Sequence, residues 1–191
     1  MLTVFIDFKS PASYLALEPT LALASEAGVT VEWLPFPVRP FSIPAEQADE
    51  TVGERHRRVR AIAQRETHLH YAAVQGLPMY FSQTPAGSET ALAALAGMQG
   101  DPVPFLRAAF AGYWTAQADL DDEAVVAALL SSVQTDLPNV TAARAKLESI
   151  RTRAAESGVF ESPTYLVADQ MFVGREHLPW IGSLIAAKLG Q

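Results

Sequence analysis

Apolar and polar positions alternate in blocks whose lengths and periods predict the elements in turn. Leu2 to Phe8 (LTVFIDF) is an apolar, β-branched and aromatic run, short enough for a buried strand. Ser10 then stands at a helix N-cap position, and Pro11 suits the first turn, where its missing N–H costs nothing. Leu15, Leu17, Leu21, Leu23 and Ala24 carry the helix to Gly28, which is placed to end it. Pro19 falls inside and predicts a kink near that point. Val29 to Leu34 (VTVEWL) reads as a second strand. A strand, helix and strand joined this tightly predict a right-handed crossover with parallel strands.

Pro35, Pro37, Pro40 and Pro44 break regular structure in a loop that carries Phe36, Arg39 and Phe41. From about Glu46 the pattern turns helical and remains so to about Ser132. The spacing predicts helices over 46–75, 87–98, 101–117 and 121–132, with no convincing strand among them. Thr141 to Ser157 reads as a further helix capped by Thr141 and ended by Gly158. Thr164 to Ala168 (TYLVA), a turn at Asp169-Gln170, and Met171 to Val173 predict a hairpin. His177 to Leu189 closes the chain as an amphipathic helix. The order β-α-β, helices, α-β-β-α predicts an α/β fold, with a unit formed by residues 1–45 and 136–191 and a helical insertion over 46–135.

Composition narrows the function classes. The chain has 191 residues, 49% hydrophobic and 18% charged, enough to bury a sizeable core. Its net charge of −7 argues against a nucleic-acid partner, which needs clustered positive surface. No apolar run approaches the roughly 20 residues of a membrane span, and no leader peptide is visible, so a cytoplasmic location is the default expectation. The chain contains no cysteine, which excludes disulfides, a cysteine nucleophile and thiolate metal ligands.

The strand-to-helix junction at Ser10 is the first candidate site. Unpaired N–H groups and the helix dipole favour an anion there, although on its own such a serine serves as a cap. Arg55, Arg57, Arg58, Arg60 and Arg65 resemble an anion patch, but Glu50 and Glu54 precede them at helical spacing, which reads as an ion-paired solvated face. His56, His68, His70 and His177 lack metal-ligand spacing, so no metal is expected. No phosphate-binding glycine loop and no Gly-x-Ser-x-Gly elbow is present.

Phe8-Lys9-Ser10-Pro11-Ala12-Ser13-Tyr14-Leu15 resembles the D-F-x-S-P-x-S-Y-L opening of 2-hydroxychromene-2-carboxylate isomerases and kappa-class glutathione transferases. These are thioredoxin-fold relatives of the DsbA oxidoreductases, and Ser10 to Ser13 occupy the place of the DsbA Cys-x-x-Cys. Gly158-Val159-Phe160-Glu161-Ser162-Pro163-Thr164-Tyr165 is similar to the family's G-V-F-G-V-P-T-F, whose proline is cis. Phe172 to Leu178 (FVGREHL) is similar to the F-W-G-N-D-R-L that follows it. Weaker echoes lie at Tyr71 to Pro78 and at Trp114 with Asp119 to Asp122.

The resemblance implies a thioredoxin-like (DsbA-like) core with a helical domain inserted, and glutathione, or another low-molecular-weight thiol, as cofactor. It makes Ser10 the group that stabilises the thiolate. It makes Ser162 and Pro163 the place where the thiol's backbone pairs, with Glu176 and Arg175 or Arg39 meeting its charged ends. Phe41, Tyr80, Phe81 and Trp114 become the wall for a small aromatic or conjugated substrate. A homodimer is compatible with this reading.

Departures fall at these same positions: Glu161-Ser162 replaces Gly-Val, Arg175-Glu176 replaces Asn-Asp, and Thr67-His68-Leu69-His70 replaces Asp-x-x-Arg. Plainer readings stay open. Pro163 can begin an edge strand in trans, Arg175 and Glu176 can be solvated charges, and the aromatics can be core. The alternative function is a redox-inactive DsbA-like binding module lacking both cysteines.

Overall fold

The computed structural model describes residues 1–136 and 138–189, with the backbone alone for Leu189. The expected unit 136–191 therefore extends outside the described residues at 137 and at 190–191. Strand β1 (Leu2–Ile6) leads into helix α1 (Pro11–Glu26), and strand β2 (Val31–Pro35) returns parallel to β1, pairing Val4 with Trp33. Four helices follow: α2 (Val52–Val74), α3 (Glu89–Gly97), α4 (Val103–Ala116) and α5 (Glu123–Ser132). Helix α6 (Val140–Glu156), strands β3 (Thr164–Val167) and β4 (Gln170–Val173), a 3-10 turn at Arg175–His177 and helix α7 (Leu178–Leu189) complete the order.

The sheet order is β2-β1-β3-β4, with β3 antiparallel to both β1 and β4. This is a thioredoxin-like sheet. Leu2, Val4, Phe5 and Ile6 of β1 are all buried, although successive side chains point to opposite faces. Both faces of the central strand are therefore covered, which is why β1 reads as a continuous apolar run rather than an alternating one. Helix α1 packs with α7 and α2, while α6 packs with α3 and β2.

Element boundaries differ from the sequence expectation where a local hydrogen bond decides them. Helix α1 does run as the expected single helix through Pro19, ending at the Ala27 cap with Gly28 after it. The Val29 amide then bonds to the Ala24 carbonyl, so Val29 finishes the helix and β2 begins at Val31, not Val29. Helix α2 starts after Thr51, not at Glu46, because Thr51 and Glu54 form a reciprocal capping box. Helix α6 is capped by the Asn139 side chain, which accepts from the Ala142 amide, so Thr141 lies inside the helix. The hairpin turn sits one residue earlier than expected. Val167 pairs with Gln170, and Ala168 and Asp169 both take positive φ, the conformation that matches the twist of paired strands.

The β1–α1 junction is fastened by a buried network. Asp7, with no solvent exposure, accepts from the Lys9 amide at 3.1 Å, the Lys9 ammonium at 2.6 Å, the Ser88 hydroxyl at 2.6 Å and the Val38 amide at 2.7 Å. The Lys9 ammonium also donates to the Ser88 hydroxyl at 3.0 Å. Removing one partner of such a pair leaves the other charged and dry. Asp7→Ala is therefore expected to cost about 3–5 kcal/mol of stability, measured by urea unfolding.

Candidate functional site

Ser10 caps α1 from extended backbone, its hydroxyl oxygen accepting from the Ser13 amide at 3.2 Å. The same hydroxyl donates to the Ser162 carbonyl at 2.9 Å. The Ser162–Pro163 peptide bond is cis, so the N-terminus of α1 directly faces the residue that precedes a cis proline. Ser10 and Ser162 are 4% and 2% exposed, and the buried hydroxyls of Ser13 and Ser162 have no hydrogen-bond partner among the described residues. Donors and acceptors without partners at a helix N-terminus give the junction capacity for a polar or anionic ligand atom.

The main-chain groups of Ser162 are engaged within the protein. Its carbonyl takes the Ser10 hydroxyl, and its amide donates to the Glu161 carboxylate at 2.9 Å. The sequence reading gave both groups to a ligand, without the internal partner that the Glu161 side chain supplies. Glu161 itself is exposed, and its carbonyl accepts from the Thr164 hydroxyl at 2.6 Å.

Arg175 and Glu176 lie beside Pro163, because the Gly174 amide bonds to the Pro163 carbonyl at 2.9 Å. Gly174 has φ 96°, a conformation that side-chain-bearing residues rarely adopt, so this corner favours glycine. Arg175 is half-buried with its guanidinium 4.2 Å from the centre of the Tyr71 ring, a cation–π contact. Glu176 is exposed, as is Arg39 on the proline-rich loop. Neither Tyr71 nor His68 was singled out from the sequence as facing Arg175. The helical spacing of the two is the signal that could have paired them.

The four residues expected to form the substrate wall, Phe41, Tyr80, Phe81 and Trp114, line one cavity of about 200 Å³ together with Lys9. Phe81 packs edge-on against Phe41 and Trp114, with ring centres 5.1 and 5.2 Å apart. Trp114 is fixed from behind. Its indole N–H donates to the Phe8 carbonyl at 2.9 Å, and Tyr14 stacks on it at 6.1 Å. Burial, and then the charges of Asp7, Asp119 and Asp121, push the Tyr113 hydroxyl up to about 12, so it stays a neutral donor to the Ala86 carbonyl. Of the arginines on α2, Arg55 and Arg58 pair with Glu50, and Arg65 with Glu66. The described residues contain no cluster of His, Asp and Glu able to hold a metal.

Together, the sheet order and a cis proline facing the N-terminus of α1 define a thioredoxin-fold protein. A family model for the DSBA-like thioredoxin domain matches residues 1–186, and the chain belongs to that family. It is 29% identical over 191 residues to a 2-hydroxychromene-2-carboxylate isomerase of Sphingobium xenophagum, covering 95% of each chain. A solved 2-hydroxychromene-2-carboxylate isomerase superposes with a TM-score of 0.73 at 19% identity, covering 98% of this chain and 95% of that one. The cytosolic disulfide reductase DsbM of Pseudomonas aeruginosa, solved with GSH, superposes with a TM-score of 0.61 at 18% identity, covering 100% of this chain and 99% of that one. No helix among the described residues is long and apolar enough to cross a membrane.

Burial holds the His68 imidazole below its usual range, and the nearby Arg175 charge adds to this. A lowered value favours the neutral ring in the folded state. Its contribution to stability is therefore present above the unfolded value of about 6.5 and lost as pH falls through the folded one. In an NMR titration His68 is expected to protonate below the ordinary imidazole value of about 6.5. Arg175→Met should raise the midpoint part of the way, since burial remains.

Proposed function

We propose that the protein is a glutathione-dependent isomerase or a kappa-type transferase, with Ser10 stabilising the thiolate of bound glutathione or a similar small thiol. The reading rests above all on the Ser10 hydroxyl, set at the N-terminus of α1 and 2.9 Å from the carbonyl that precedes cis Pro163. A serine there cannot exchange disulfides, because its own proton is held far too tightly. It can turn its O–H from the Ser162 carbonyl to a ligand sulfur. The hydrogen bond and helix dipole then lower the sulfur's pKa, and the released proton goes to solvent. The Ser162 carbonyl, freed by that turn, accepts from the ligand's backbone as a neighbouring strand would. Glu176 meets the ligand's amino group, and Arg175 or Arg39 a carboxylate.

The aromatic cavity then seats a small conjugated substrate. The thiolate forms a C–S bond to an electron-poor carbon, and the adjoining bond rotates while it is single. The C–S bond breaks and returns the thiolate, so the substrate is isomerised without net oxidation or reduction. In a transferase the adduct is released instead. In this reading residues 46–135 act as an inserted helical unit that supplies Tyr80 and Trp114 to a site built by residues 1–45 and 136–191. One observation favours the alternative, a redox-inactive binding module: both main-chain groups of Ser162 already have internal partners.

Ser10→Ala removes one cap bond and one bond to Ser162, and is expected to cost about 1–2 kcal/mol of stability. The decisive measurement is thiolate absorbance against pH for the glutathione complex. The wild type should titrate below the ordinary thiol value of about 8.5, and Ser10→Ala should move it back up. Equal values in the two proteins would reduce Ser10 to a helix cap, and a wild type that binds no thiol would favour the binding module. Glu161→Ala removes the side chain that competes for the Ser162 amide. It should tighten glutathione binding about three- to tenfold by calorimetry.

A further inference from the structure

The serine before cis Pro163 carries a hydroxyl that is buried without a hydrogen-bond partner among the described residues. Such a group costs stability until something satisfies it. The main-chain groups around it are each engaged. The Ser162 amide donates to the Glu161 carboxylate, and the Ser162 carbonyl accepts from the Ser10 hydroxyl. The Glu161 carbonyl accepts from the Thr164 hydroxyl, the Pro163 carbonyl accepts from the Gly174 amide, and Pro163 has no N–H to give. Ser13, the other buried hydroxyl without a partner, is placed differently. It sits in the first turn of α1, where a serine can turn to the carbonyl of the preceding turn. Valine, which stands before the proline in the motif that this segment resembles, has no donor to satisfy. The polar group at Ser162 is therefore an addition to that motif, placed at the junction and unused by the fold.

We propose that the Ser162 hydroxyl is a second donor to the ligand sulfur, so that two serines, one from α1 and one from the cis-proline segment, hold the thiolate. The inference rests on the proposed function for the presence of a thiol at this junction, and extends it to a side chain where only the main chain of Ser162 had a part. Ser10 and Ser162 are joined at 2.9 Å through the Ser162 carbonyl, so a sulfur that draws the Ser10 hydroxyl lies beside residue 162. A single rotation about the Cα–Cβ bond redirects the Ser162 hydroxyl. A hydrogen bond to an anion is stronger than one to a neutral acceptor, so this donor favours the thiolate over the thiol. The hydroxyl keeps its proton throughout, and the proton lost by the thiol goes to solvent. In the free protein the same group is a cost to stability that ligand binding removes.

The test compares Ser162→Thr, which keeps a hydroxyl, with Ser162→Val, which has nearly the same shape without one. The readout is thiolate absorbance of the glutathione complex against pH, on the full chain. The wild type and Ser162→Thr should share a low midpoint, and Ser162→Val should titrate about one pH unit higher. Calorimetry below the wild-type midpoint, where the bound sulfur carries its proton in every protein, should give equal glutathione affinities. Ser162→Ala, free of ligand, should unfold at no lower urea concentration than the wild type, because no bond is lost. Equal midpoints for Ser162→Thr and Ser162→Val would overturn the proposal. So would a Ser162→Ala protein markedly less stable than the wild type, since the hydroxyl would then already be bonded. Ser10→Ala in the same titration separates the two readings. If its midpoint rises while that of Ser162→Val does not, the thiol function stands and the role of Ser162 falls. A wild type that binds no glutathione removes both.

Discussion

A fully buried carboxylate is tolerable only when its oxygens are filled with donors, and that requirement at Asp7 organises this end of the molecule. The four donors come from three separate stretches: Lys9 just after β1, Val38 in the proline-rich loop and Ser88 at the start of α3. Ser88 stands at the N-cap of α3 yet makes no capping bond, because its hydroxyl is turned to Asp7. The Asp121 carboxylate takes over and accepts from the Glu89 amide. That substitution needs Gly87, since a Cβ there would collide with the Asp121 carboxylate. The Ser10 amide bonds to the Asp7 carbonyl at 3.1 Å, so the position of the Ser10 hydroxyl depends on the same anchor.

The candidate site has a polar end and an apolar end, joined through the segment that follows β1. At the polar end Ser10 meets Ser162, a contact between residues 152 positions apart in the chain. At the apolar end Trp114 holds the Phe8 carbonyl and forms one wall of the aromatic cavity. Residues 7 to 10 thus contribute the anchor, a cavity cation and a helix-capping hydroxyl within four positions.

Much of the fold was legible because it is written in short-range pattern. The apolar run of β1, the Ser10-Pro11 helix start and Gly28 at the helix end each have a local physical cause. Errors arose where two local signals competed. Thr141 is a good cap, but Asn139 reaches an amide first. Asp169-Gln170 is a plausible turn, but the pairing of Val167 with Gln170 forces positive φ onto Ala168 and Asp169, neither of them glycine. At the site, the resemblance to a known family singled out Ser10, Ser162 and the aromatics. Lys9 passed unnoticed beside them, because one lysine in an apolar stretch carries no sign of burial.

The sequence by itself determined the order of strands and helices, the absence of any cysteine chemistry, and a helix that begins on a serine. These depend on backbone preference, period and composition, which act over a few residues. Only the tertiary structure decided which groups are already taken. It gave the Ser162 amide to Glu161, the Ser10 hydroxyl to Ser162, the Ser88 hydroxyl to Asp7, and the rings of Phe41, Phe81 and Trp114 to one cavity. A hydrogen bond or a desolvated charge depends on what stands within about 3 Å in space, and chain distance does not encode that.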